Sequence, residues 1–233
     1  MNPLSAESSF NIVNGSNYLP VNETHGIIQK IGERLHSDIN SNGNNISLIN
    51  CFTHEGDNKI TIDSQKGNIL IEEGEMAADV KSTSGSINLK RTALENIDTA
   101  GGHVYLFEGS KTELIAVRST SGSVNLNNSE VKQTIKTGGG PVELMNNAKT
   151  ASIETQNAAG DVFLNHSQVT GSIKTAGGYV KMFHQSIADS IATEGESGYV
   201  FLEHCEVKNT IKTRGGPVEL KHEAKVKNDR DSI

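Results

Sequence analysis

The chain has 233 residues, a formal charge of −7, 34% hydrophobic residues, 23 Gly, no Trp and a mean hydropathy of −0.41. The acidic balance argues against nucleic acid and anionic membrane surfaces as partners, since both need clustered Lys and Arg. So few large apolar side chains fall short of a layered globular core and suit a thin core repeated along an axis.

The start, MNPLSAESSF, has no basic region leading into an apolar stretch, so no secretory signal is read there. No run approaches the ~18 apolar residues of a membrane span. The expected location is the cytoplasm, with export by a route that leaves no such signal as the alternative. Residues 1–25 carry only a fragment of the pattern that follows and are expected to form an N-terminal cap.

From residue 26 the chain repeats. TIKTGGGPVEL begins at Thr134, SIKTAGGYVKM at Ser172 and TIKTRGGPVEL at Thr210, a period of 38 that divides again into two coils. With the residue before each VxL-like pair as position 0, coils start at Gly26, Asn44, Gly67, Gly85, Gly102, Gly122, Gly140, Gly160, Gly178, Gly198 and Gly216. Apolar alternation at positions 2 and 4 predicts a strand with one buried face, and positions 9 and 13–15 predict two more short strands. The expected fold is all-β: a parallel β-helix of about eleven coils of 17–23 residues, three short strands per coil, over 26–226. Residues 227–233 are a polar C-terminal tail.

Two columns support the register. Position 2 is β-branched throughout, from Ile28 to Val218. A hydroxyl column closes each third strand: Ser41, Ser64, Ser82, Thr99, Ser119, Thr137, Thr155, Thr175, Thr193 and Thr213. Such hydroxyls can satisfy turn backbone groups that a sheet leaves unpaired, and the glycine at position 0 is expected to allow a sharp bend. In the first coil Lys30 takes an apolar position, and GIIQKIGERL also fits a short amphipathic helix. The coil is preferred because SDINSNGNNISL aligns with ADVKSTSGSINL in the same frame.

Residues 51–59, CFTHEGDNK, are the one generous insertion. Its His54, Glu55 and Asp57 are the candidates for a carbohydrate-active site, yet no nucleophile, base and stabiliser converge in the sequence. An enzyme is not expected, and no catalytic residue or cofactor is assigned. Cys51 and Cys205 both fall at position 7, eight coils and so roughly 38 Å apart. That is far beyond the Cα separation a disulfide spans, and both are expected to be free thiols packed as small residues.

Positions 1, 3 and 5 of the first strand point outward. They hold Tyr105, Phe107, Phe163, Tyr179, Phe183, Tyr199 and Phe201, seven of the ten aromatics. Contiguous apolar surface of this kind often marks a contact site, although ladder packing that stiffens a sheet gives the same pattern. Position 6 holds His166, His184, His204 and His222 in four consecutive coils. No metal is expected; His184, His204 and His222, with Glu203 and Cys205 nearby, are the candidates if one binds. Asn50, Asn128 and Asn146 occupy the same column, which reads as a position for polar turn residues.

The recurring STSGSINL, STSGSVNL and KTGGGPVEL resemble the short-coil bacterial β-solenoids grouped as adhesins of unknown function, over roughly residues 37–221. A looser resemblance is to bactofilins, which are polymer-forming cytoplasmic solenoids. The first resemblance implies a right-handed parallel β-helix with a surface or scaffold role. The expected function is a non-enzymatic scaffold that self-associates through the aromatic face. A protein or glycan partner on the same face is the alternative, and a carbohydrate-active β-helix enzyme a further one.

Overall fold

A chain that buries every second residue of a short run and then turns can satisfy its backbone only by pairing each run with the next coil. The structure, a computed structural model, describes residues 11–12 and 26–227 and shows that arrangement. All described strands are parallel, in two sheets of 12 and 13 strands, and no helix occurs among the described residues. The protein is an all-β solenoid of about eleven turns. Of the expected N-terminal cap, only Asn11–Ile12 is described, as a strand pairing with Ile28 and Gln29. The rest of that segment, and the tail beyond Lys227, lie outside the described residues.

The first sheet stacks the position-2 column without a slip. Ile28 pairs with Ile46, and the ladder continues through Ile69, Ile87, Val104, Val124, Val142, Val162, Val180 and Val200 to Val218. The first coil is a strand, Ile27–Ile31, and not a helix. Lys30 sits opposite Leu48 and pairs with Glu33 at 3.0 Å, so its ammonium does not enter the end of the core unpaired.

The second sheet takes both remaining runs. In the middle coils they fuse into one long strand, as in Glu130–Thr137, Lys149–Thr155 and Gln168–Thr175, with a register irregularity between Val131 and Thr134 and its equivalents. In other coils they stay separate, as in Lys111–Thr112 with Leu114–Val117, or Glu206–Val207 with Ile211–Thr213. Between the sheets runs a core one coil thick. Val162, Leu164, Val169 and Ile173 are each fully shielded, and Thr175 nearly so.

The hydroxyl column caps the turns. Thr137, Thr175 and Thr213 donate to the carbonyls of Gly140, Gly178 and Gly216 at 2.8, 2.9 and 2.7 Å. Ser82 does the same to Gly85 at 3.0 Å. One assignment needs correction: Val117, not Ser119, stands between Thr99 and Thr137. Ser119 lies two residues on, in a longer turn, where its hydroxyl pairs with that of Ser121. A buried Val keeps the β-branched shape there and gives up the cap.

The position-0 glycines serve close approach and not a left-handed bend. None from Gly67 to Gly216 has a positive φ. Instead, a Cβ at Gly85, Gly102, Gly140, Gly178 or Gly216 would overlap the carbonyl oxygen of the glycine one coil earlier. The left-handed backbone sits at position 6, with φ of 49° at His166, 47° at His184, 51° at His204 and 46° at His222. Asn50, Glu73, Arg91, Glu108, Asn128 and Asn146 share it. In alternate coils the next residue is left-handed too: Gly109, Asn147, Gln185 and Glu223, which recur every 38 residues. The first three donate their N–H to Asn128, His166 and His204 of the following coil. This doubled turn is the physical basis of the two-coil period.

Candidate contact face

Strict alternation along each first-sheet strand turns positions 1, 3 and 5 outward, and register stacks them into columns. The position-3 column reads Tyr105, Asn125, Glu143, Phe163, Lys181, Phe201, Glu219. Flanking its second half are Tyr179 and Tyr199 at position 1 and Phe183 at position 5, next to Glu203. The seven expected aromatics therefore divide. Tyr105 and Phe107 stack on one coil, ring centroids 6.1 Å apart and nearly parallel. Phe163, Tyr179, Phe183, Tyr199 and Phe201 form a patch across three coils.

Within the patch, Phe183 and Phe201 lie 5.6 Å apart and Tyr179 and Tyr199 meet edge to face at 6.0 Å. At its centre stands Lys181, which the position-3 column discloses once the register is drawn. Its ammonium is 5.7 Å from the Phe163 ring and 5.6 Å from Tyr179, within cation–π range. Lys221 lies 5.4 Å from Phe201 in the same way. Neighbouring coils cover part of each ring, so Tyr179 at 44% is the only one of the seven classed as exposed and the others are half-buried. Apolar exposure also reaches Ile27, Ile31 and Leu70 on the same sheet, which aromatic residues alone do not reveal. Tyr199 donates to the Glu219 carboxylate, and that hydrogen bond, which only the protonated phenol can make, pushes its phenol up to about 12.

The second sheet's outer face is chemically different. It is laced by ion pairs between coils: Lys59 with Asp79 and Glu95, both at 2.7 Å, Lys132 with Glu113 at 2.6 Å, and Lys136 with Glu154 at 3.4 Å. Asn209 donates to Asp189 at 2.6 Å in the same manner. Ion pairs occur on the first sheet as well, between Lys90 and Glu108 at 3.5 Å and Lys221 and Glu219 at 2.7 Å, but there they share the face with the aromatic patch.

The histidine column forms two stacked pairs. His166 and His184 lie 5.2 Å apart and 5° from parallel, and His204 and His222 lie 5.2 Å apart at 13°. Asn165 accepts from the Nδ1 of both His166 and His184, and His222 is 3.6 Å from Glu203. A groove of about 430 Å³ runs beside this corner. Among the described residues no three His, Cys, Asp or Glu converge as metal ligands. The ring spacing is that of stacked coils, and the left-handed backbone at this corner is one that His tolerates better than most residues.

Residues 51–59 build a tight turn. Arg34 grips Asp57 through two nitrogens, one of them at 2.6 Å, and the Asp57 carboxylate also accepts the N–H of His54 at 2.7 Å. Arg34 holds that carboxyl down at about 2, so Asp57 is ionised and structurally engaged. Cys51 and Cys205 are free and buried, and burial pushes both thiols up, Cys205 to about 11.

With a stacked parallel solenoid, a glycine ladder and a hydroxyl column in place, the class is clear: a short-coil β-solenoid. Residues 23–167 and 108–232 match the Toastrack DUF4097 family in two overlapping stretches, and the chain belongs to that family. It is a domain of unknown function, so the match carries the fold and assigns neither an adhesin role nor a bactofilin-type polymer. No curated protein and no solved structure matches the chain. Among the described residues no helix is long and apolar enough to cross a membrane.

Proposed function

We propose that the protein is a non-enzymatic scaffold that associates with a second copy of itself through the aromatic patch. The observation that carries this is the grouping of Phe163, Tyr179, Phe183, Tyr199 and Phe201 around Lys181 on one face of the first sheet. Rings supply most of the area at contact surfaces, and offset or edge-to-face packing adds to it. The face carries both signs of charge: Lys181 sits among the rings and Lys221 pairs with Glu219 at 2.7 Å, so two copies of it are not opposed by a single-sign field.

A non-enzymatic role is supported by the use of Asp57 in a turn and by the short, regular turns elsewhere. Two buried, unpaired cysteines fit a reducing compartment, and the cytoplasm is the location proposed. An adhesin-like role would set the same face against a protein or glycan.

Changing Phe183 and Phe201 together to Ser tests the proposal. Both side chains point outward, so the coils should stay folded while association weakens at least about tenfold, the loss expected for two contact-centre rings. Unchanged association in a folded double variant contradicts it.

A further inference from the structure

One edge of the aromatic patch is a column of imidazoles. The His184 ring lies 6.2 Å from Phe183, and His184 stacks on His166 at 5.2 Å. His204 and His222 continue the corner, the latter 3.6 Å from Glu203. The corner itself does not need histidine, since Asn50, Asn128 and Asn146 hold the same left-handed backbone in other coils. Yet the four coils that start at Gly160, Gly178, Gly198 and Gly216, which carry Phe163 to Lys221, all place His there, and no other coil does. Histidine at this position therefore goes with the patch and not with the fold.

Imidazole is the side chain that gains a proton between pH 7.5 and 5.5. Several neighbours are held fixed over that range. Lys227 holds Glu206 below its ordinary value, and Lys221 with Tyr199 does the same to Glu219. Burial pushes Cys205 up to about 11, and the bond to Glu219 pushes Tyr199 up to about 12. The charges beside the column nearly balance at neutral pH. The cations are Lys149, Lys181, Lys221, Lys225 and Lys227, and the anions are Glu203, Glu206, Glu219 and Glu223. Even one proton per stacked pair leaves a clear positive excess along this edge.

A two-fold contact sets each patch against its own copy, so an excess of one sign meets the same sign across the contact. We propose that the histidine column is an acid switch on self-association: two copies pair at neutral pH, and protonation of the column parts them. The inference rests on the self-association reading and adds its regulation. Overall charge works in the opposite direction. The chain carries −7 at pH 7 and has a pI of about 5.6, so the repulsion between whole molecules is nearly gone at pH 5.5. Screening reduces the reach of charge to about 8 Å in 0.15 M salt, which leaves the local column in control of the contact.

The test is sedimentation velocity of the intact chain at pH 7.5 and pH 5.5 in about 0.15 M salt. Beside it runs a variant carrying His166→Asn, His184→Asn, His204→Asn and His222→Asn, with circular dichroism to confirm that each protein stays folded at both pH values. The parent's dissociation constant should rise at least about tenfold at pH 5.5, and the variant's should change less than about twofold. In the parent alone, about 1 M salt at pH 5.5 should restore most of the association, because screening then shortens to about 3 Å. Association at pH 5.5 as tight as at pH 7.5, or an equal loss in the Asn variant, overturns the switch and leaves the patch reading in place. A monomer at both pH values overturns the patch reading, and the switch with it.

Discussion

Where the position-0 glycines stack, one coil's carbonyl oxygen fills the space a β-carbon would need, and this sets the tolerance of each glycine. Gly140→Ala must push coils apart at the Gly122 carbonyl and should cost about 3 kcal/mol or more in urea unfolding. Gly109 is the control: its φ is 85° but nothing lies near its missing Cβ, so Gly109→Ala should cost only about 1 kcal/mol. Equal losses at the two sites would refute the close-approach account. Thr175→Val keeps the β-branched shape that Val117 already shows in this column, and strands the Gly178 carbonyl. A loss of about 1–2 kcal/mol is expected. Cys205 gives a pH signature. Its folded-state pKa of about 11 lies above the ordinary value of 9.0, so stability tied to the neutral thiol is intact below pH 9 and declines as pH rises towards 11. Cys205→Ser should flatten that alkaline limb, measured against the parent's unfolding midpoint across pH. The glycine spacing is visible in the sequence, but its cause is not: a crowded glycine and a left-handed glycine look alike until φ is known.

At the scale of the element, the corner column explains why His, Asn, Glu and Arg interchange at position 6. All hold a left-handed φ, which polar residues able to bond locally tolerate and β-branched ones do not. His204→Asn should therefore be nearly neutral, and His204→Val should lower the unfolding free energy clearly, by about 1–2 kcal/mol. A neutral His204→Val would mean that the corner is not held by backbone conformation. This column was legible as a turn position because Asn50, Asn128 and Asn146 share it. The doubled left-handed residues in alternate coils were visible only as a 38-residue period. That these seven aromatics turn outward was legible from alternation alone. What alternation could not show is how stacking half-covers each ring, or that Lys181 stands at the centre, since both depend on neighbours in adjacent coils. Asp57 was misleading as an isolated acid, because its partner Arg34 is 23 residues away in sequence and one coil away in space.

Taken whole, the molecule is close to one-dimensional: each coil touches the coil before and the coil after, and stability spreads along the axis. That is why the repeat specified the fold almost completely. Every pairing in the position-2 ladder can be written from the spacing of the glycines. Partner choice is different in kind, since it depends on which outward residues meet another molecule, and no internal periodicity encodes that. Several ion pairs link coils on the second sheet and the aromatic patch lies on the first, and this asymmetry is the ground on which self-association is proposed. The most direct test is sedimentation velocity of the intact chain over a roughly hundredfold concentration range. The account predicts a defined dimer or larger assembly whose share grows with concentration and falls in the Phe183/Phe201 to Ser variant. A 25.0 kDa monomer at every concentration would contradict it.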